Sequence, residues 1–306
     1  MMALRCFDLS AKHSSFTRAA QEVGLTQGAV SHQILELESQ LGVPLFLRKK
    51  SGLQLTAAGR SYWIEVSAAL RQLERATQNL ALNKGEGGAL NLCVASTFAT
   101  YWLMPKLAGF VAVHPEVTLN LSTHTGSTHI SPVEFATSVH DAAIEFCGGS
   151  EPGLCAEFVH ALELRPYCSP ALLGAVRGKK RKTRPANTAF LSSLLSTKPL
   201  IQHSTVPLAW PAWLKAADLT AAVPEQHLSA GPRYDLLSMT LNGAINGLGL
   251  ALLPEYVAAA AAKAGQIVRI SDRSWVSDKG YYLRFPEWKS GLVALDRFRH
   301  WIQAIR

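Results

Sequence analysis

A chain of 306 residues, 48% of them hydrophobic, is long enough for two or three compact units, each with its own core. No apolar run approaches the roughly 18 residues of a membrane-spanning helix, and the N-terminus lacks the basic-then-apolar pattern of a secretory signal. A soluble, cytoplasmic protein with no membrane partner is expected. The formal net charge is +8, and residues 1–84 carry ten Lys/Arg against six Asp/Glu, a balance that suits a polyanionic partner. Beyond residue 84 the positive excess comes from one run, 177–184 (RGKKRKTR), read as a solvated loop in preference to a further DNA or partner contact.

Residues 15–59 parse as a helix, a sharp turn, a second helix and a short basic hairpin. Ser15 is placed to cap the first helix, whose Phe16, Ala19, Ala20 and Val23 share one face. Gly24 ends it, because a turn between crossed helices needs a residue that tolerates positive φ. Thr26 then caps a helix with apolar positions at Ala29, Val30, Ile34, Leu37 and Leu41. Its other face begins Gln27, Gly28, Ser31, His32, Gln33, small or amide side chains suited to entering a major groove and touching base edges. The hairpin that follows carries Arg48, Lys49 and Lys50, which supply charge for phosphate.

The spacing S-F-T-x-A-A, then L-T-Q-x-A-V-S-x-Q-I-x-x-L-E-x-x-L-G-x-x-L-F-x-R, then L-T-x-x-G resembles the winged helix-turn-helix of LysR-type transcriptional regulators, with matched gaps from residue 7 to residue 59. Gly28 fills a slot where many members carry proline, which should leave the start of the recognition helix softer. A helical hairpin in an unrelated core would explain neither the polar face nor the basic wing. The resulting DNA-binding set is Arg18, Thr26, Gln27, Gly28, Ser31, His32, Gln33, Arg48, Lys49 and Lys50.

From residue 57 to about 84 one long helix is predicted. Gly59, Trp63, Val66, Leu70, Leu73, Thr77 and Leu80 recur at alternating four and three spacing, a seam that calls for a partner. A symmetric dimer is the simplest partner, with Trp63, Val66, Leu70, Leu73 and Leu80 at its interface; packing against its own domain is the alternative. The GEGG sequence at 85–88 reads as a hinge.

Beyond it, strands are predicted at 90–95, 117–122, 142–146, 157–164, 199–202, 249–252, 268–270 and 281–285. Helices are predicted at 102–113, 131–139, 235–246, 254–264 and 292–305. Such alternation implies parallel sheets flanked by helices, with ligands bound at the carboxyl ends of strands in a crevice. The segments STFATYWLMPKLAGFVAVHPEVTLNL (96–121), DAAIEF (141–146), PYCSPALL (166–173) and WPAWL (210–214) resemble the LysR-type effector domain, similar in turn to periplasmic solute-binding proteins. They look most like the branch that contains the glycine-cleavage-system regulator. The expected architecture is a multidomain α+β chain: a winged helix-turn-helix over 1–60, a linker helix and hinge over 61–88, and a two-subdomain α/β effector domain over 89–306. Its first subdomain would comprise 89–162 plus 268–306, and its second 163–267.

Within that domain Ser96, Thr97, Phe98 and Thr100 follow the first strand and lead into a helix, where hydroxyls and free N–H groups can cradle a carboxylate. Capping of that helix is the plainer role for the same hydroxyls. The resemblance places Thr125 and Cys147 on the same side, Gln202, His203 and Ser204 opposite, and Leu248 at the floor. The carboxylate cradle points to a small anionic effector; the resemblance implies a homodimer that assembles further into a homotetramer on double-stranded operator DNA, with RNA polymerase as a candidate partner.

Other functions fit less well. Asn246-Gly-Leu-Gly lacks the third glycine and the preceding strand of a dinucleotide fingerprint, and no hydrolase, zinc-protease or P-loop spacing occurs. No catalytic residue, metal or cofactor is therefore expected. A solute-binding protein would leave the head unexplained, and a ligand-independent nucleoid protein would leave the α/β domain unexplained. Cys6, Cys93, Cys147, Cys155 and Cys168 form no C-x-x-C pair or metal spacing and read as free thiols. A redox switch between Cys147 and Cys155 is the alternative mode of regulation.

Overall fold

The computed structural model of the protein describes residues 1–49, 52–83, 87–124, 130–177, 188–228 and 230–306. Lys50, Thr125, residues 85–86 of the hinge and residues 178–184 of the basic run lie outside the described residues, as do the side chains of Arg48, Lys49 and Leu80. The chain forms two compact units, Met1–Gly85 with Ala136–Val139, and Glu86–Phe135 with His140–Arg306.

The N-terminal unit contains α1 (Met2–His13), α2 (Phe16–Val23), α3 (Gln27–Leu41), the hairpin β1 (Phe46–Lys49) and β2 (Gly52–Leu55), and α4 (Ala57–Asn83). The first helix was not anticipated. It buries Cys6, Phe7, Leu9 and Ser10, and with Ala19, Ala20, Val30, Ile34, Leu37, Leu45 and Val66 these form most of the core. Phe46 from the hairpin meets Phe7 and Phe16 edge-on, with ring centroids 5.5 and 5.4 Å apart. Leu41, expected on the apolar face of α3, is exposed instead, because α3 ends there and turns at Gly42.

At the start of α4 the Thr56 hydroxyl accepts the Gly59 N–H at 2.8 Å and donates to the Pro44 carbonyl at 2.8 Å. A Cβ on Gly59 would lie 2.0 Å from the Leu45 carbonyl oxygen, so only glycine lets the helix approach the strand backbone. Gly59 of the L-T-x-x-G segment is thus a packing device, not part of the seam.

The C-terminal unit begins with β3 (Gly88–Ala95), which runs into α5 (Ser96–Phe98), a π-helical turn (Ala99–Leu103) and α6 (Met104–Val113). Then come β4 (Val117–His124), α7 (Pro132–Thr137), β5 (Ala142–Cys147) and the long β6 (Leu154–Cys168). The next stretch contains α8 (Pro170–Arg177), α9 (Thr188–Thr197), β7 (Leu200–His203), α10 (Ala209–Ala216), α11 (Glu225–Leu228) and β8 (Arg233–Tyr234). It closes with α12 (Leu237–Ile245), β9 (Leu250–Leu253), α13 (Glu255–Lys263), β10 (Val268–Arg269), β11 (Trp275–Pro286) and α14 (Val293–Ala304).

The strands lie in the order β4-β3-β5-β11-β6-β9-β7-β8, with β10 alongside β6. Pairing is parallel at the two ends, as the alternation of strands and helices implies, but antiparallel through the middle. The reason lies in β6 and β11. Both are longer than their predicted cores, and they pair from Trp275 opposite Leu164 to Pro286 opposite Leu154, carrying the chain from one end of the sheet to the other and back. The WPAWL segment proves to be α10, where the indole N–H of Trp210 donates to the Ile201 carbonyl and that of Trp213 to the Arg273 carbonyl, each at 2.9 Å. Burying both rings with their polar atoms satisfied anchors α10 to β7 and to the approach of β11.

Candidate functional site

Local chemistry shapes the first candidate surface. Ser15 Oγ accepts the Arg18 N–H at 3.3 Å, Gly24 adopts φ 74°, and Thr26 Oγ1 accepts the Ala29 N–H at 3.2 Å. These caps set the two helices at a tight corner. Val30, Ile34 and Leu37 point into the core, which leaves Thr26, Gln27, Gly28 and His32 exposed and Ser31 and Gln33 half-buried. Arg18 is exposed on α2. The carboxylate of Glu38 accepts the N–H groups of Leu45 at 2.6 Å and Phe46 at 3.0 Å, fixing the hairpin to α3.

The second surface is a cavity of about 170 Å³ where the ends of β3, β5 and β11 face β7 and the turn from β8 into α12. It is lined by Ser96, Thr97 and Phe98 after β3, Glu145 of β5, Lys279 and Tyr281 of β11, His203 at the end of β7, and Asp235. The π-helical turn stacks Phe98 on Trp102 at 4.7 Å, and Phe98 also stacks on Tyr281 at 4.0 Å. Tyr281 receives the hydroxyl hydrogen bond of Tyr256 at 3.1 Å, and burial pushes its phenol up to about 12.

The polar groups of this cavity divide sharply. Glu145 is satisfied internally: its carboxylate accepts the Ile130 N–H at 2.8 Å and the buried Arg284 guanidinium at 2.7 Å. Arg284 also pairs with Glu151. By contrast, neither the Ser96 nor the Thr97 hydroxyl has a partner among the described residues, and α5 starts from Ala95 without a side-chain cap. Both ring nitrogens of His203 are buried and unbonded. Desolvation pushes this imidazole down to about 4, against a smaller opposing pull from Asp235.

Ser96, Thr97, Phe98 and His203 are therefore brought together. The Thr100 hydroxyl turns back to the Ser96 carbonyl at 3.0 Å, within its own helix. Gln202 is buried one position before His203, donating to the carbonyls of Leu200 and Leu228 at 2.8 and 2.7 Å. Ser204 and Cys147 are not among the residues that line the cavity. Leu248 is 51% exposed in the turn before β9 and does not form its floor.

Comparison with known proteins fits both surfaces. Residues 1–60 match the bacterial regulatory helix-turn-helix protein, lysR family, and residues 83–305 match the LysR substrate binding domain. The chain is a LysR-type transcriptional regulator. It is 34% identical over 302 residues to the glycine cleavage system transcriptional activator of Escherichia coli strain K12, covering 99% of this chain and 92% of that one. It is 33% identical over 308 residues to the transcriptional activator AmpR of Pseudomonas aeruginosa, covering 98% and 93%. The solved effector domain of that AmpR superposes with a TM-score of 0.58 at 27% identity, over 71% of this chain and 94% of that one. Vibrio fischeri DarR in complex with DNA shares the fold, with a TM-score of 0.55 at 18% identity over 98% and 97% of the two chains. As a LysR-type regulator the protein is a DNA-binding transcription factor with an effector-binding domain.

For this regulator the sequence reading overlooked Asp235, Lys279, Glu145 and Tyr281 in the cavity wall. Glu145 stands in the DAAIEF segment and Tyr281 in a predicted strand, but nothing local says that their side chains turn to one hollow. The redox alternative meets a geometric obstacle. Cys147 pairs with Gly280 on one edge of β11, and Cys155 with Phe285 on the other. Five residues of strand separate those positions, roughly 17 Å, whereas a disulfide needs Cα atoms within about 7 Å. Burial also pushes the Cys147 thiol up, away from the thiolate that redox exchange requires.

Proposed function

We propose that this regulator reads operator DNA through the exposed start of α3 and senses a small anionic effector in the cavity beside Ser96 and Thr97. The Ser96 and Thr97 hydroxyls, unpartnered among the described residues and lining the same cavity as His203, support the effector assignment. Hydroxyls that open into a cavity without a partner in their own chain are free to donate to a ligand's oxygens. Thr97→Ala should leave melting and operator binding near normal while a reporter loses its response to the inducer. Loss of about 1 kcal/mol of stability with the response intact would make Thr97 a helix cap instead.

On the DNA side, Gln27, Ser31, His32 and Gln33 lie at the groove, with Thr26 and Ser31 nearer the phosphates; Arg18 and Gly28 complete the DNA-binding set, and Arg48, Lys49 and Lys50 contact phosphate beside them. Gln27→Ala should lose roughly 1–3 kcal/mol of discrimination at one base pair per half-site. A footprint with unchanged sequence preference would remove Gln27 from the reading set. A dimer places two such heads on adjacent grooves, and two dimers form the working tetramer; the effector shifts how the dimers are set on DNA. The head over 1–60, the linker over 61–88 and the effector domain over 89–306 divide these tasks. RNA polymerase is the downstream partner, the cytoplasm is the compartment, and the protein's output is occupancy of DNA, not a chemical reaction.

A further inference from the structure

The cavity presents free groups of both signs. Asp235 reaches it from the turn between β8 and α12 and Lys279 from β11; both are exposed, and apart from the field of Asp235 on His203 neither side chain has a hydrogen bond or ion pair among the described residues. Glu145, the other carboxylate in the wall, is already held by the Ile130 N–H and Arg284 and needs nothing from a ligand. A ligand bearing only negative charge would meet Lys279 and the two hydroxyls but would sit against an uncompensated Asp235. A purely cationic one would meet the reverse. The matching ligand has one charge of each sign, so that each exposed group exchanges its water for a counter-charge.

We propose that the effector is a small zwitterion of the α-amino acid class, its ammonium group set against Asp235 and His203 and its carboxylate against Lys279 and the Ser96 and Thr97 hydroxyls. This rests on the reading of the cavity as the effector site. A neutral imidazole has one acceptor nitrogen and one donor, and both of His203's are out of reach of solvent. The ammonium is therefore met by the Asp235 carboxylate, with the neutral imidazole ring packed in the same wall and adding no competing positive charge. A volume of about 170 Å³ has room for roughly ten water-sized groups, the scale of a single amino acid with a modest side chain.

The test uses the full-length protein in thermal-shift and titration calorimetry with the standard free amino acids, their N-acetyl and carboxamide derivatives, and the matching amine-free carboxylic acids. At least one free amino acid should stabilise the protein. Blocking either its amine or its carboxylate should weaken binding roughly tenfold to a hundredfold, the loss of one charge-assisted contact. Asp235→Asn should do the same to the free amino acid while the unliganded variant melts like wild type. If amine-free carboxylates bind as well as amino acids and Asp235→Asn leaves them unaffected, the zwitterion is wrong and the anion site stands. If neither group of compounds stabilises the wild-type protein, the zwitterion and the anion site both fall. An amino acid that binds Asp235→Asn and Thr97→Ala as tightly as it binds wild type occupies some other place, and the proposal is wrong.

Discussion

The Glu38 carboxylate, near the end of the recognition helix, holds the backbone N–H groups of both Leu45 and Phe46 through one oxygen, at 2.6 and 3.0 Å. A side chain on α3 thereby sets where the wing hairpin starts, and the angle between base-reading and phosphate-binding elements follows from it. Glu38→Ala strands two partly buried donors and should destabilise the head by about 1–3 kcal/mol. It should also weaken operator binding without altering sequence preference. Hydrogen exchange at Leu45 and Phe46 checks the clamp directly: protection equal to wild type would show that the hairpin is held by its aromatic contacts alone.

If the basic wing acts through charge alone, as proposed, its effect should be sequence-independent. Changing Lys49 and Lys50 together to alanine should lower affinity for specific and non-specific duplexes alike. The dependence of log affinity on log salt should flatten by about two units per head. An unchanged slope in filter binding across a salt series would take the wing out of the interface.

The linker seam divides into two kinds of position. Trp63 donates to Asp8 at 2.8 Å, Val66 is 7% exposed, and Leu70 packs on the same N-terminal core, whereas Leu73 is 48% exposed. Val66→Ala should therefore cost about 1–3 kcal/mol at any protein concentration. Leu73→Glu should act through association instead, shifting the dimer to monomer in sedimentation and abolishing operator binding. A dimeric Leu73→Glu protein that still binds DNA would place the partner surface elsewhere.

His203 makes stability pH-dependent in one direction. Folded, its imidazole is held at about 4 by desolvation; unfolded, it titrates near 6.5. Between those values the unfolded chain holds a proton that the folded chain lacks, so stability is full above about pH 6.5 and falls as pH drops toward 4. The loss from this group is at most about 3 kcal/mol. His203→Gln removes the titration, so its denaturation midpoint should change less than wild type between about pH 7 and pH 4.5. Equal slopes for the two proteins would assign the acid sensitivity to other groups.

The head could be read from the sequence because its determinants are local. A cap at Ser15, positive φ at Gly24, a cap at Thr26 and a three-four apolar spacing each act within one or two turns of helix, and the structure repeats the caps and the turn residue for residue and the apolar face as far as Leu37. Helix α1 escaped because it has no side-chain N-cap, so its identity depends on the core it meets. The same dependence explains the seam. Spacing shows that Trp63, Val66 and Leu70 must be covered, but only the position of α1 decides that their own unit covers them.

In the effector domain, most strands, the helices on either side of residues 165–234 and the polar turn at Ser96 and Thr97 were legible in the sequence, whereas α8, α9, α10, α11 and β8 were not. The cavity was not. His203, Asp235 and Lys279 reach it from β7, the β8–α12 turn and β11, and their meeting depends on how far β6 and β11 run and on which residues pair along them. Register is a long-range property: nothing within a strand states which residue will lie opposite it, since the choice is made by the packing of the whole sheet. The sequence by itself determined that this protein has a groove-reading head and an α/β sensor. The tertiary structure decided which charges the sensor holds unpaired.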